Sequence, residues 1–394
     1  MQLVQRPCIV IVAGETSGDN LAAGLIKALQ VRKPHWRFAG IAGPAMVAAG
    51  CEAWAAAEEL AVMGLFDVLR HLPRLLRLRR GVLARLRQER PLAFVGVDAP
   101  EFNLGLAARL VGTSFPVIQY VSPQVWAWRS GRVRKMAKTL QLVLCLLPFE
   151  KKFYDGHGLA ADFVGHPLAD RLPLVADRAA ARHALALPLE GEWIALLPGS
   201  RVAEVLRLAD DFLAAAERLT VLRPDVRFMA PMANAAARQV FEAALAARPV
   251  IAAKVTLFDG RSSEVLTACN CVLVASGTAT LETLLCKRPM VVAYKLGRAT
   301  AWLARRLQLM KAPFFSQPNL LAGRAVVCEL LQEAVTPQRL ADEVVAWLDA
   351  PERVEALQME FTAIHQRLRQ GASERAAEAV IRLIETSRPD TRPS

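Results

Sequence analysis

Residues 8–19 read CIVIVAGETSGD, and the fold turns on how this stretch is understood. An unbroken apolar run rich in β-branched residues ends at Gly14, and a helical pattern follows from Gly18 to about Val31. An apolar run without polar alternation suits a strand covered on both faces, as in a parallel sheet. The stretch therefore reads as the opening of a βα unit. Further strand candidates follow at 36–43, 92–98, 116–122 and 141–148. A second series starts afresh with 193-WIALLPG-199 and continues at 226–232, 249–258, 271–276 and 289–295. Strands alternating with helical patterns predict α/β architecture with two doubly wound Rossmann-like domains. Residues 162–174, DFVGHPLADRLPL, read as the linker. The expected division is 1–165, 166–345, helices over 346–386 with a break at 371–373, and a polar disordered tail at 387–394. With two such domains, a cleft between them is the natural site.

A chain of 394 residues has ample material for such cores. Although 54% of its residues are hydrophobic, no apolar run approaches the roughly 18 residues of a membrane span. The N-terminus lacks a basic region followed by a long apolar one, so it reads as a strand of a cytoplasmic protein. Seven cysteines, mostly inside apolar runs and with no CxxC spacing, read as buried thiols and not as disulfides or a zinc site. The formal charge of +12 calls for an anionic partner without saying which.

Chemistry-bearing residues gather where strands end. In 13-AGETSGD-19, Gly14 and Gly18 permit a tight turn with amides at a helix start, but Glu15 and Asp19 would repel a phosphate. Sugar hydroxyls suit this loop better; the alternative is a helix-capping turn with Thr16 or Ser17 as the cap. In 197-LPGSRVAEV-205, Gly199, Ser200 and Arg201 bring backbone donors, a helix dipole and a guanidinium to one point, a candidate diphosphate site. Glu204 stands where it can hold Arg201 or complete a capping box. Ser276, Gly277 and Thr278 in 275-ASGTATLETLL-285 form a second anion cradle, and Glu282 can accept both hydroxyls of a ribose. The loop 258-FDGRSSE-264 offers groups for a base edge. Asp98, at the end of an apolar strand, is either a general base or a turn former before Pro100, with Asn103 near the same mouth. His166 is structural or catalytic. Trp126 and Trp128 stack on a sugar or close the core.

Taken in order, AGETSGD, VDAPEFN, SPQVWAWR, LPFE, FVGHPLAD, LLPGSR, ASGTATLE, PMVVAYK and 318-PNLLAG-323 resemble the lipid-A-disaccharide synthase family, inverting glycosyltransferases of lipid A biosynthesis, over about Pro7 to Ile384. The resemblance implies a GT-B type fold and condensation of UDP-2,3-diacylglucosamine with 2,3-diacylglucosamine 1-phosphate to the β(1→6) disaccharide 1-phosphate and UDP. It implies no metal and no cofactor. The second domain would hold UDP through Gly199, Ser200, Arg201, Glu204, Ser276, Gly277, Thr278, Glu282 and Asn319. The first would hold the acceptor, with Asp98 as base and Gly14, Glu15, Ser17, Gly18, Asp19, Asn103, Trp126 and His166 around it. The family also implies a possible homodimer that exchanges C-terminal helices. Thr16 departs from the family's usual alanine.

One further stretch, 62-VMGLFDVLRHLPRLLRLRRG-81, is both greasy and basic. Val62, Leu65, Phe66, Leu69, Leu72 and Leu76 fall on one helical stripe. From Asp67 to Arg90 there are eight arginines against Asp67 and Glu89. That pattern fits either a core helix with a solvated basic face or a helix lying in a bilayer interface. Leucine-interleaved arginines do not make a nucleic-acid reader. An acylated acceptor favours the bilayer, on the cytoplasmic face of the inner membrane. Pro73 is expected to kink or divide the helix.

Overall fold

The computed structural model describes residues 6–60, 65–123, 130–297 and 313–387, with side chains at all of these except 65–71 and 130. They group into two compact units. One comprises residues up to Asp170 together with those from Leu368 onward, and the other is Arg171–Arg367.

In the first unit, strands β1 (Cys8–Ala13), β2 (Arg37–Ala42), β3 (Cys51–Ala56), β4 (Ala93–Val97), β5 (Val117–Tyr120), β6 (Leu142–Cys145) and β7 (Ala161–Phe163) form one parallel sheet ordered β3-β2-β1-β4-β5-β6-β7. Helices α1 (Thr16–Arg32), α2 (Pro44–Ala48), α3 (Leu65–Glu89) and α4 (Pro100–Ala107) connect the strands up to β5. All of β1 is buried because successive side chains point to opposite faces and both faces are covered. Ile9 and Ile11 join the core shared with α1 and the C-terminal helix Ala372–Ser387, whereas Cys8, Val10 and Val12 join the one with α3 and α4. The C-terminal helix contributes Ala376, Ala377, Val380 and Ile384, one face at helical spacing. Asp170 accepts from the N–H groups of Gly371 and Ala372 at 2.9 and 2.7 Å, and so closes the start of that helix.

The second unit repeats the scheme. Strands β8 (Trp193–Leu197), β9 (Arg227–Met232), β10 (Val255–Asp259), β11 (Cys271–Ala275), β12 (Met290–Tyr294) and β13 (Cys328–Leu331) are parallel and ordered β10-β9-β8-β11-β12-β13. The helices that matter for the site are α5 (Val202–Leu222), α6 (Ser262–Ala268), α7 (Thr278–Leu285) and α8 (Gln317–Ala322). In both sheets the strand order reverses beside the first strand, between β1 and β4 and between β8 and β11. The loops leaving that reversal open a crevice at the carboxyl ends.

Several local expectations change. The strand expected over 249–258 begins instead with a short helix, Pro249–Ala252, because proline suits a helix's first position and has no N–H for a ladder. β3, β7 and β13 are extra strands; CEAWAA and CELL carry few β-branched residues, and β7 overlaps the start of the segment read as a linker. Helix α3 runs through Pro73 as one element instead of dividing there. The polar tail 388–394 lies outside the described residues.

Candidate active site

At the first reversal Ala13 pairs in register with Val97, so Gly14 and Asp98 leave the sheet side by side. A Cβ on Gly14 would stand 2.8 Å from the Ala99 Cβ, closer than side chains approach, so the two loops touch through that missing atom. Asp98 and Ala99 have φ of +51° and +39°, and Val121, at the end of neighbouring β5, has +73°. Left-handed backbone at such residues costs about 1–3 kcal/mol each and persists only where the surroundings enforce it. Two buried amides do so. Asn103 donates from Nδ2 to the Asp98 carbonyl at 2.9 Å, and Gln119 donates from Nε2 to the carbonyls of Asp98 (3.1 Å), Tyr120 (3.3 Å) and Val121 (3.3 Å). Burial raises the affinity of the Asp98 carboxylate for a proton above the ordinary range. The charge of nearby Glu15 adds to this, and a hydrogen bond from the Ala99 backbone opposes it. A carboxylate so poised is suited to accept a proton.

The rest of the glycine loop divides into exposed and structural parts. Glu15 occupies the N-cap position of α1 without a capping side-chain bond; Thr16 and Ser17 lie within the first turn, so neither is the cap. Glu15, Thr16 and Ser17 are exposed, while Gly18 is buried beneath Asp98. Asp19 is buried and fully committed: its carboxylate accepts from the N–H groups of Gly43 (3.0 Å), Ala45 (2.8 Å) and Met46 (3.0 Å) at the start of α2. It therefore anchors the loop from behind instead of facing a ligand.

At the second reversal, Gly199 has φ +133°, and a Cβ there would meet that of Glu204 at 2.4 Å, so only glycine fits. Glu204 accepts from the N–H groups of Ser200 (3.1 Å) and Arg201 (3.4 Å) and from Arg201 Nη1 (3.4 Å). Glu204 thus supplies one half of a capping box, accepting from the N-cap N–H of Arg201, and also pairs with the Arg201 guanidinium; the other half is missing because an arginine side chain cannot accept. The Arg201 side chain is 57% exposed and can swing to a ligand. Asn234, after β9, fixes the loop by donating to the Ser200 carbonyl at 2.9 Å. The companion loop is more open. Gly277 is the N-cap of α7, exposed like Thr278 and with empty space where a side chain would go. Ser276 donates to the Phe315 carbonyl at 3.1 Å. Both oxygens of Glu282, on the second turn of α7, accept hydroxyls, from Ser262 at 3.0 Å and Ser263 at 2.8 Å at the head of α6. Each carboxylate oxygen keeps a second lone pair, so the acid is set to bind hydroxyls, and the loop at 258–264 is its immediate neighbour.

Asn319 is different from what its motif suggests. Its amide donates to the Val327 carbonyl and Glu329 and accepts from the N–H groups of Val326 and Val327, all within 3.0 Å, leaving nothing for a ligand. It positions α8 with Glu329, which also holds Phe315 and Ser316. His166 accepts at Nδ1 from the Leu168 N–H at 3.2 Å, and burial pushes its pKa down to about 4 against the pull of Asp170. It is a neutral histidine that closes a short helix. Trp126, Trp128 and Val62 lie outside the described residues, as do the side chains of Leu65, Phe66 and Leu69. Further along α3, Leu72 is exposed and Leu76 half-buried, whereas Val82, Leu83 and Leu86 are buried in the core. Gln119, Asn234 and Glu329 escaped the sequence reading, which reached Ser262 and Ser263 only as part of the loop at 258–264 and not as partners of Glu282. Among the described residues no helix is long and apolar enough to cross a membrane, and no three His, Cys, Asp or Glu side chains gather to hold a metal ion. All seven cysteines are free, and all but Cys328 are buried.

The family profile described as Lipid-A-disaccharide synthetase matches residues 9–383. A lipid-A-disaccharide synthase of Alkalilimnicola ehrlichii is 50% identical over 375 residues, covering 95% of this chain and 97% of its own length. One from Pseudomonas aeruginosa is 50% identical over 378 residues, covering 96% and 98%. Among solved structures, the UDP-GlcNAc 2-epimerase of Neisseria meningitidis bound to UDP-GlcNAc aligns with a TM-score of 0.65 at 12% identity, over 95% of this chain and 100% of its own. MurG of Acinetobacter baumannii aligns with 0.56 at 14%, over 96% and 100%. At such identities the structures speak for the fold alone, the GT-B class with a helical C-terminus. Sequence, fold and relatives converge: the chain belongs to the lipid-A-disaccharide synthase family, glycosyltransferases of lipid A biosynthesis.

Proposed function

We propose that the chain transfers 2,3-diacylglucosamine from UDP to the 6-hydroxyl of 2,3-diacylglucosamine 1-phosphate, with inversion, giving the β(1→6) disaccharide 1-phosphate and UDP. Asp98 takes the hydroxyl proton as the oxygen attacks the anomeric carbon, and the bond from that carbon to the diphosphate breaks on the opposite side. Arg201 and the N–H groups heading α5 and α7 receive the charge that builds on the diphosphate. Glu282 takes the ribose hydroxyls. The first unit holds the acceptor, and the second, Arg171–Arg367, holds the donor. The observation that carries this reading is the desolvated Asp98 carboxylate on a strained, doubly tethered loop.

The test is to incubate the purified protein with both lipids in detergent and follow UDP and disaccharide together. UDP release without disaccharide would overturn the reading in favour of an epimerase-like or hydrolytic activity. The enzyme works peripherally on the cytoplasmic face of the inner membrane, through the leucine and arginine face of α3; exposed Leu72 supports this. Replacing Leu69, Leu72 and Leu76 by serine should release a folded protein from vesicles, and unaltered binding would reject the dock. In a homodimer with exchanged C-terminal helices, Ala372–Ser387 would make on the partner the contacts it makes here on its own core.

A further inference from the structure

The described part of the first unit contains a guanidinium whose surroundings are incomplete. Arg79 reaches from α3 onto α4. Its Nη2 donates to the Glu101 carbonyl at 3.2 Å, and its Cζ lies 5.1 Å from the centre of the Phe102 ring. Room for it exists only because residue 105 is glycine, where a Cβ would stand 2.7 Å from the Arg79 Cζ. Nε is buried without a partner. That is unusual, since orphaned buried donors are rare and costly. A fully buried guanidinium in the second unit shows the ordinary solution. Arg182 spreads its nitrogens over the carbonyls of Ala268, Leu189 and Gly191 and the Asn270 side chain.

The charges around Arg79 are also unbalanced. Arg109 donates to the Gly105 carbonyl at 2.9 Å, makes no ion pair among the described residues, and acts on Arg79 as a like charge. Arg132 grips Glu101 with two bonds of 2.6 and 2.7 Å, so the nearby carboxylate is already engaged. Among the described residues, three guanidiniums thus gather around one acid, Glu101. The planar fork of an arginine matches a phosphate, and Nη1 of Arg79 makes no hydrogen bond among the described residues. Arg79 and Arg132 meet at Glu101 on the first turn of α4, which begins directly after Asp98 and Ala99; at 1.5 Å per residue, Glu101 is about 3 Å along the axis from Ala99.

We propose that Arg79, flanked by Arg109 and Arg132, is a binding site for a phosphate carried on a lipid. Such a phosphate can be the 1-phosphate of the acceptor sugar or the headgroup of a bilayer phospholipid. Its assignment to the acceptor rests on the reaction proposed above; the site itself does not. The experiment compares wild type, Arg79→Gln, Arg79→Lys and Arg109→Gln as full-length proteins. It measures acceptor KM and kcat in neutral detergent, UDP affinity, and partition onto phosphatidylcholine vesicles with and without phosphatidic acid. If the acceptor phosphate binds here, Arg79→Gln raises acceptor KM at least tenfold, Arg79→Lys recovers part of the loss, and UDP affinity is unchanged. If the headgroup binds here, KM in detergent stays put and the preference for phosphatidic acid falls by a similar factor. Unchanged KM and unchanged vesicle partition in Arg79→Gln overturn the site. Should Arg79→Gln not fold, Arg109→Gln, an exposed position, decides by the same two readouts. A wild type that makes no disaccharide removes the reaction while the vesicle measurement still judges the site.

Discussion

The two strand reversals share one topology and carry opposite chemistry. Between β1 and β4 the mouth is acidic and rigid: Glu15 stands beside a desolvated Asp98, and three left-handed residues are locked by the amides of Asn103 and Gln119. Between β8 and β11 the mouth offers Arg201 and two helix starts, and its acids, Glu204 and Glu282, are held by donors of the protein itself. The sheet decides where a site can be; the few residues beyond the strand ends decide what it can do. One mouth is suited to remove a proton and the other to hold a leaving diphosphate.

The strongest way to break this contrast is at Asp98. Asp98→Asn should lower kcat on the order of 10²- to 10⁴-fold, the usual worth of a general base, while UDP affinity measured by calorimetry stays near normal. A variant that loses UDP binding instead would place Asp98 among the donor contacts. Next comes Arg201→Ala, which should weaken UDP binding on the order of 2 kcal/mol and lower turnover with it. Unchanged affinity would take the guanidinium off the diphosphate.

Gly199→Ala probes the rigidity of the second mouth. With φ at +133° and Glu204 in the way, it should cost about 1 kcal/mol or more of stability, seen as a lower Tm. A Tm equal to wild type would mean that the loop gives way easily. The smallest and most informative change is Glu15→Gln. A base at Asp98 must be deprotonated, so activity should fall as pH drops through its raised pKa; Glu15 helps to raise that pKa, and removing its charge should move the acid limb of kcat/KM to lower pH. An unmoved limb would show that the first mouth is not electrostatically coupled.

Much of this was readable in the residues. Unbroken apolar runs such as CIVIVA and WIALL announce strands buried on both faces, and the glycines after them announce where the loops begin. Alanine-rich β3 and the short β13 stayed hidden because their pairing comes from neighbours and not from their own composition. Within the site, residues whose roles are local were legible: Arg201 and Glu204 lie on one helix turn. Asp19 and Asn319 were not, because their partners stand far along the chain or across a turn, at Gly43 to Met46 and at Val326 to Glu329. A polar residue in a motif does not say by itself whether it faces a ligand or the fold. Gln119 makes the same point in reverse, an unremarked strand residue that holds the Asp98 carbonyl.

The contact between position 14 and Ala99 has an evolutionary side. Because the two loops meet where a glycine lacks its side chain, a larger residue at 14 needs room first from Ala99, whose Cβ would stand 2.8 Å away, and then from Leu60 at 3.2 Å, whereas Ala99→Gly can arise first without a clash. The positions form a unit of descent, in which the harm of Gly14→Ala should be relieved by Ala99→Gly, and the order in which the two changes arise decides whether a lineage passes through a damaged intermediate.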